Sequence, residues 1–287
     1  MINHASVFKI LIPDELKILR SIENGMKKYE WVPVEEMASH TSISKKEIEY
    51  RLHHLVELDL VERYIQSYVG YQLKFNGYDI LAIDTLVRKD IIHALGDVIG
   101  VGKESIILAA MSNGPVAIKF HREGRTSFKQ VKRAREHLLG VEHFNWLYGA
   151  KLAAVREFEV MNKLYPTVNV PQPFEYTRHA IVMGVAEGVN MVDAKLVDPE
   201  WYLEEILKQI KLAYGLGFIH GDLSEYNVMV SDKGITLIDW PQYVTAGSKT
   251  AEDMIRRDVG NILTYFDRKY RIKRDLEEVL KYIKDEP

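Results

Sequence analysis

The chain carries the stretch IHGDLSEYN at residues 219–227, which brings a histidine, an aspartate and an asparagine into one short loop. Asp222 and Asn227 are spaced Asp-x-x-x-x-Asn, and His220 lies two residues before the aspartate. An aspartate in such a loop can orient a hydroxyl group and accept its proton, while the asparagine oxygen holds Mg²⁺. The spacing therefore predicts a loop that supports metal-assisted phosphoryl transfer, with Asp222 as its catalytic residue.

A second carboxylate follows this loop at the end of an apolar run. Leu237-Ile238-Asp239 is predicted to end a strand, and Asp232-Lys233-Gly234 is predicted to form the turn before it. Such a hairpin would bring Asn227 and Asp239 together. Because oxygen ligands suit Mg²⁺, we expect both residues to bind metal.

Two motifs upstream predict contacts to the phosphates of a nucleotide. Val116-Ala117-Ile118-Lys119 places a lysine near the end of a predicted strand, where it can bind phosphate or simply extend its ammonium group to solvent. We favour phosphate binding because the other motifs are present. Glu157 and Glu159 compete as the partner of this lysine, and helical periodicity points Glu157 inward.

Residues 100–105 form the candidate phosphate-binding loop. Its glycines resemble the start of a Gly-x-Gly-x-x-Gly loop, but Ser105 replaces the third glycine, and the run does not fit a Walker motif. Ser105 could offer its hydroxyl and amide to a phosphate. The candidate nucleotide-binding residues of this loop are Gly100, Gly102, Lys103, Glu104 and Ser105.

Composition excludes several classes of protein. Lys and Arg number 38 against 41 Asp and Glu, so the formal net charge is −3 and the chain has no strongly basic field. Cysteine is absent, which excludes disulfides, thiolate metal sites and cysteine nucleophiles. No apolar run is long enough to span a membrane. We expect a cytoplasmic protein that makes no membrane contact.

The first 85 residues predict a winged-helix domain. Helical patterns over 14–28, 33–40 and a segment opening at Ser44 precede two β-prone runs, 61–66 and 71–75. The third helix would be the recognition helix, displaying Lys45, Lys46, Arg51 and His53. These cations indicate either nucleic-acid binding or an ordinary solvated helix face, and winged helices also bind proteins. A connecting helix is expected over 83–95, followed by three antiparallel strands up to Phe120.

Several of these motifs together resemble the RIO family of atypical protein kinases, in particular its subfamily two. The matching sequence motifs are Gly102–Ser105, Lys119–Phe128 with Arg125-Thr126-Ser127-Phe128, His220–Asn227 and Ile238–Gln242. The resemblance implies an α+β fold, in which an N-terminal winged-helix domain precedes a trimmed bilobal kinase-like domain. The expected bounds are 1–85 for the winged helix, 86–94 for a connecting helix, and 95–183, 184–188 and 189–287 for N-lobe, hinge and C-lobe.

The resemblance also implies the activity and its ligands. We expect ATP and Mg²⁺ as cofactors, with Mn²⁺ as a substitute. The expected activities are serine autophosphorylation and ATP hydrolysis, with phosphoryl transfer to Asp239 as a hypothesis. The expected biological role is in late maturation of the small ribosomal subunit. The ribosomal precursor and its rRNA would contact the winged helix and the basic segment 121–149, and the protein would be a monomer. Phosphorylation of peptides in trans should be inefficient, since no Ala-Pro-Glu word follows Asp239. Met183 would border the adenine, and the backbone from Gly184 to Ala186 would meet its edge.

Two other functions fit parts of the pattern. His-Gly-Asp and Ile-Asp-Trp also occur in small-molecule phosphotransferases of the aminoglycoside-kinase type. The winged-helix prefix and residues 125–128 argue against that class. Alternatively, the protein is a winged-helix regulator whose kinase-like half only binds nucleotide. The complete set of Lys119, Asp222, Asn227 and Asp239 argues against this alternative.

Overall fold

The computed structural model describes residues 2–122 and 146–285. It contains two compact units, Met1–Ala154 with Glu175–Val182 and Val155–Phe174 with Met183–Pro287. The first unit includes both the region predicted as a winged helix and most of the region predicted as the N-lobe. The domain bounds expected from the sequence stay a prediction.

The N-terminal part of the first unit combines five helices with a small sheet. The order is α1 (His4–Ile10), α2 (Pro13–Gly25), β1 (Val32–Pro33), α3 (Val34–His40), α4 (Lys45–Glu57), β2 (Val61–Ile65), β3 (Val69–Leu73) and α5 (Phe75–Arg88). The three antiparallel strands lie in the order β1-β3-β2. Helix α4 begins where the sequence predicts, because the Ser44 side chain accepts a hydrogen bond from the Glu47 amide.

The prediction of a connecting helix over residues 83–95 is wrong at both ends. Helix α5 begins at Phe75 and ends at Arg88, and a strand starts at Ala94. Gly77 lies in the first turn of α5, and a Cβ there would approach the Leu60 carbonyl oxygen to 2.3 Å. This glycine therefore allows close packing of the helix against the chain before β2, although glycine is a weak helix former by itself.

A five-stranded sheet completes the first unit, in the order β4-β5-β6-β8-β7. Its strands are β4 (Ala94–Val101), β5 (Ser105–Met111), β6 (Pro115–His121), β7 (Pro173–Thr177) and β8 (Ala180–Gly184). The predicted antiparallel arrangement of the first three strands is confirmed. The turn predicted at Asn113-Gly114-Pro115 joins β5 to β6, since Met111 pairs with Pro115.

A buried ionic cluster links distant parts of the first unit. The Asp79 carboxylate on α5 accepts hydrogen bonds from His4 Nε2 at 2.8 Å and His179 Nε2 at 2.7 Å, and it also pairs with Arg122. Burial by itself raises the pKa of Asp79, but the bonds from His179 and His4 and the charge of Arg122 lower it to about 2. Asp79 is therefore ionised, and its cluster binds α1 and α5 to residues that border β6 and β8.

The second unit is mainly helical. Helix α6 (Trp146–Leu164) leads into it, and β9 (Val189–Asn190), α7 (Pro199–Gly215), β10 (Phe218–Ile219), β11 (Val228–Ser231), β12 (Gly234–Leu237), β13 (Val244–Thr245), α8 (Ala251–Tyr270) and α9 (Leu276–Lys284) follow. β11 and β12 form the predicted hairpin, with Ser231 opposite Gly234. Apolar faces of α7 and α8 form one core with this hairpin, and they include Leu203, Ile206, Val259 and Ile262.

Candidate active site

The loop between β10 and β11 depends on a backbone turn that suits glycine. Gly221 has φ +81°, and a Cβ at this position would lie 2.4 Å from the Gln242 carbonyl oxygen. An L side chain here would be strained and would also collide with backbone. The sequence requirement for glycine before Asp222 therefore comes from the path of the loop.

Replacement of Gly221 by alanine is expected to lower the free energy of unfolding by about 3 kcal/mol, through the left-handed backbone and the collision together. Gly217→Ala is a matched control, because Gly217 has φ +88° but a Cβ there would meet nothing within 4 Å. The control should lose only about 1–2 kcal/mol. Urea unfolding of both variants measures the difference, and equal losses would contradict this assignment of the collision.

Asp258 on α8 fixes the same loop through two hydrogen bonds to its backbone. Its Oδ2 accepts the Gly221 amide at 2.7 Å and its Oδ1 accepts the Leu223 amide at 3.2 Å. Burial raises the pKa of Asp258, against the effects of His220 and of the two backbone hydrogen bonds. The two bonded amides flank Asp222, so this buried carboxylate sets the backbone from which the catalytic candidate projects.

The Asp222 side chain is exposed, as a group that meets a substrate has to be. The Arg257 guanidinium lies 4.0 Å from its Oδ1 and also donates a hydrogen bond to the Gly221 carbonyl oxygen. Asp222 is thus placed to accept a proton from a hydroxyl group.

The structure brings Asn227 and Asp239 close together, as the hairpin predicts. The Ile238 amide donates to the Asn227 carbonyl oxygen at 3.0 Å, and Asp239 is the next residue. Asn227 Nδ2 donates to the Asp222 carbonyl oxygen at 2.8 Å, which turns its amide oxygen away from that contact. Asp239 has φ +70°, a left-handed conformation that is rare outside glycine and frequent at functional positions.

This donor set fits Mg²⁺. It consists of hard oxygen atoms from one amide and one carboxylate, and magnesium is usually bound by one or two such groups together with substrate phosphates. Within residues 2–122 and 146–285, no three His, Cys, Asp or Glu side chains form a preformed metal centre. Asn227 and Asp239 would therefore need phosphate oxygens and water to complete the coordination.

Glu157 on α6 is buried and points inward, as helical periodicity predicts, whereas Glu159 is exposed. Its Oε1 accepts the Trp240 amide at 3.0 Å, so it stabilises the backbone directly after Asp239. The pairing of Glu157 with Lys119 stays a prediction.

The phosphate-binding candidates of the first unit share one face of its sheet. Gly100 lies opposite Ile107, and Ile107 lies opposite Lys119 in register across β4, β5 and β6. Ser105 is two residues from Ile107 and therefore points to the same face as Lys119. Lys119 is only 3% exposed, which excludes the interpretation that its ammonium group simply extends into solvent.

The turn before β5 is tight. The Gly102 amide donates to the Ser105 carbonyl oxygen at 2.9 Å, and the Glu104 carbonyl oxygen accepts the Arg122 amide at 2.7 Å. Lys103, between them, is exposed. The structure thus places the candidate loop at the edge of the face that carries Lys119, and the phosphate-binding roles stay predictions.

The predicted adenine contacts lie at the end of β8. Met183 is buried, Gly184 and Ala186 are half-buried, and the Gly184 amide donates to the Gln172 carbonyl oxygen at 2.8 Å. That amide therefore cannot donate to a purine at the same time. Residues 185–186 remain the better backbone candidates.

The predicted recognition helix α4 has fewer available cations than its sequence indicates. Lys45 binds the Glu35 carboxylate at 2.9 Å, and Arg51 binds Glu47 at 2.6 Å. Lys46 and His53 are exposed. The motif Arg125–Phe128 and most of the basic segment 121–149 lie outside the described residues.

Sequence reasoning missed Asp258 and Arg257. The available signal was a carboxylate within the apolar stripe of α8, where Ile255, Val259 and Ile262 are all buried. A charged residue at such a position has to be hydrogen-bonded or paired. Nothing in the sequence shows that its partners are the backbone amides of the loop.

Comparison with known proteins identifies the family. A model described as RIO domain matches residues 105–279, and one described as Rio2, N-terminal, matches residues 8–89. The chain belongs to the Rio2 branch of the RIO family. The predicted resemblance, fold class and enzyme class are thereby confirmed.

Two named relatives are serine/threonine-protein kinases. The RIO-type kinase Rio2 of Methanocaldococcus jannaschii is 39% identical over 275 residues, which cover 90% of this chain and 99% of the relative. The kinase rio2 of Dictyostelium discoideum is 36% identical over 267 residues, covering 91% of this chain. The match spans only 51% of that second relative, so the chain covers about half the length of that relative.

A solved structure shares the fold across both units. The Rio2 kinase of Chaetomium thermophilum, in an ADP/Mg²⁺-phosphoaspartate complex, has a TM-score of 0.81 and 27% identity, with coverage of 98% of this chain and 89% of that chain. In the described part of this Rio2 chain, no helix combines the length and apolar character of a membrane span.

Proposed function

We propose that the protein is an ATP- and Mg²⁺-dependent serine kinase that phosphorylates itself and also hydrolyses ATP. The observation that carries the proposal is the backbone hydrogen bond from the Ile238 amide to the Asn227 carbonyl oxygen, which brings residues 227 and 239 together next to the loop of Asp222. Membership of the Rio2 branch supports it. Bound Mg²⁺, or Mn²⁺ in its place, would neutralise charge on the phosphates.

The residues have separate roles in this reaction. Asp222 orients a serine hydroxyl and accepts its proton, as the serine oxygen forms a bond to the γ-phosphorus and the bond to ADP breaks. Lys119 binds the α- and β-phosphates, while Ser105 and the amides of residues 100–105 bind phosphate oxygens. Arg257 and Asp258 act through the loop, and we class them as positioning residues.

Asp239 is also the proposed acceptor of a phosphoryl group. Its carboxylate would attack the γ-phosphorus and release ADP, and water would then hydrolyse the acyl phosphate to free aspartate and inorganic phosphate. The phosphoaspartate in the Chaetomium complex supports this route. A label on the protein that is acid-labile and sensitive to hydroxylamine would support it further, whereas only acid-stable label would count against it.

We propose the precursor of the small ribosomal subunit and its rRNA as the partner, in the cytoplasm, with the protein as a monomer. The N-terminal Rio2 domain supports a role beyond catalysis. In that domain, the exposed Tyr68 and the stacked pair of Trp31 and Tyr64 offer aromatic surface to unpaired bases. Because Lys45 and Arg51 already pair with carboxylates, this aromatic surface is a better candidate contact than helix α4.

Asp222→Ala tests the kinase assignment. Incubation with γ-labelled ATP and Mg²⁺ should show that the rate of serine labelling falls by about 10² or more, because the group that accepts the hydroxyl proton is lost. Hydrolysis should fall as well, because Asp222 would also accept the proton of the attacking water. Nucleotide binding should persist, since Asp222 is not a proposed ligand of the phosphates. Hydrolysis that is unaffected by the substitution would point to contamination and favour a nucleotide-sensing regulator.

A further inference from the structure

A cleft of about 640 Å³ lies beside the catalytic loop in the second unit. This volume is typical of sites that bind a ligand. One wall continues the loop beyond Asp222, and the other is a face of α8. The lining residues are Ser224, Glu225, Tyr226, Asn261, Thr264, Tyr265, Arg268 and Lys269. None of the nucleotide, metal or catalytic roles proposed above uses this cleft.

A polar stripe on α8 connects the cleft to Asp222. Arg257, Asn261, Thr264 and Arg268 follow one another at four- and three-residue spacings, so they share one helix face, and all four are exposed. Arg257 is the residue 4.0 Å from Asp222, and Asn261 Nδ2 donates to the Leu223 carbonyl oxygen at 3.0 Å. The stripe therefore begins beside the proposed acceptor position and runs about 16 Å along the helix.

The far end of the cleft is positively charged. In the part of the chain that the structure describes, Arg268 has no carboxylate partner within ion-pair distance. The Lys269 ammonium group donates to three neutral oxygens, the Val192 and Ala194 carbonyls and the Tyr265 hydroxyl. Among the described residues that line the cleft, Glu225 is the single carboxylate beside these two cations.

We propose that this cleft binds the acidic flank of the phospho-acceptor polypeptide. The acceptor serine lies at Asp222, and a carboxylate of the same segment pairs with Arg268. An extended peptide spans about 16 Å in about five residues, and the reach of the arginine side chain shortens this, so the carboxylate lies about three to five positions from the serine. This inference rests on the proposed serine kinase activity.

The lining chemistry favours a peptide over a nucleic acid. Hydroxyl and amide groups of Ser224, Thr264 and Asn261 can bond to a peptide backbone, and the exposed Tyr226 ring can cover it. A nucleic-acid strand repeats a negative charge at every nucleotide, and Glu225 would oppose it. A segment with a few carboxylates meets the cations at one end only.

Binding of two labelled peptides by fluorescence anisotropy tests the proposal, with ADP and Mg²⁺ present. The peptides are identical except for Glu or Lys at the third to fifth positions on both sides of a central serine. The wild-type protein should bind the Glu peptide roughly three- to tenfold more tightly, as expected for exposed ion pairs. Arg268→Glu should reverse this preference towards the Lys peptide.

Lys273→Glu is the matched control, because Lys273 is an exposed cation of the same unit that does not line the cleft. It should keep the wild-type preference, and thermal unfolding verifies that each variant is folded. Equal affinities for both peptides, an equal effect of the control, or stronger Arg268-dependent binding of a single-stranded RNA would overturn the proposal. Since anisotropy needs no turnover, absent ATP hydrolysis with intact peptide preference would reject the proposed activity and the role of the peptide as phospho-acceptor, and would leave only the binding of acidic peptide in the cleft standing.

Discussion

Asp239→Ala should abolish magnesium-dependent hydrolysis of ATP and all labelling of the protein by γ-labelled ATP. The substitution removes the only carboxylate of the proposed metal pair and the proposed phosphoryl acceptor in one step. The amide of Asn227 alone is a weak ligand for a hard divalent cation. Losing the metal removes charge neutralisation at the phosphates, which is the largest contribution in this chemistry, so we expect a fall of at least about 10³ in rate.

The fold of this variant should persist. The substitution removes no packing contact from the core, because Asp239 is only half-buried. The hydrogen bond from the Trp240 amide to Glu157 also remains. Asp232→Ala provides a control at an exposed carboxylate in the turn of the same hairpin. Turnover and labelling should be unchanged in the control. Residual magnesium-dependent turnover in Asp239→Ala would show that another group holds the metal.

Asp258→Asn should have the second-largest effect, because it removes one of two acceptors that fix the catalytic loop. The asparagine oxygen can still accept one backbone amide, but its NH₂ group then faces the other. A buried donor without an acceptor costs about 1–3 kcal/mol. We expect this loss in the free energy of unfolding and a fall of about 10² in kcat, since Asp222 would no longer be held in position.

Kinetics separate this positioning role from simple instability. If Asp258 acts through the loop, kcat should fall at temperatures where the variant is fully folded, while the KM for ATP changes little. Asp253→Asn is the control, because Asp253 is exposed in the first turn of the same helix. A variant that loses stability but keeps the wild-type kcat when folded would contradict the positioning role.

Much of the second-unit site was predictable because its residues are close in sequence. Asp222, Asn227 and Asp239 lie within one loop and one hairpin, and a short turn at Gly234 is enough to bring them together. Helix α4 was predictable for a similar reason, since Ser44 caps it locally. In each case the signal depends on spacing and on backbone chemistry within one short stretch of sequence.

The features that sequence reasoning missed depend on contacts between distant segments. Asp258 reaches the loop from a helix that begins after β13, and no local pattern reveals which amides it binds. Helix α5 includes Gly77, which packs closely against Leu60, and this tertiary contact offsets glycine's low helix propensity. The binding of the Gly184 amide to Gln172 is equally invisible in the sequence.

The buried cluster around Asp79 limits how freely the protein can be divided. A fragment beginning at the sequence-predicted kinase boundary, residue 95, would keep His179 and Arg122 but lose the carboxylate that both of them bind. A fragment ending at residue 85 would keep Asp79 and His4 and lose the other two partners. The winged-helix region and the five-stranded sheet are therefore not exchangeable modules. An insertion, deletion or recombination at this boundary has to keep the Asp79 carboxylate together with the side chains that bind it.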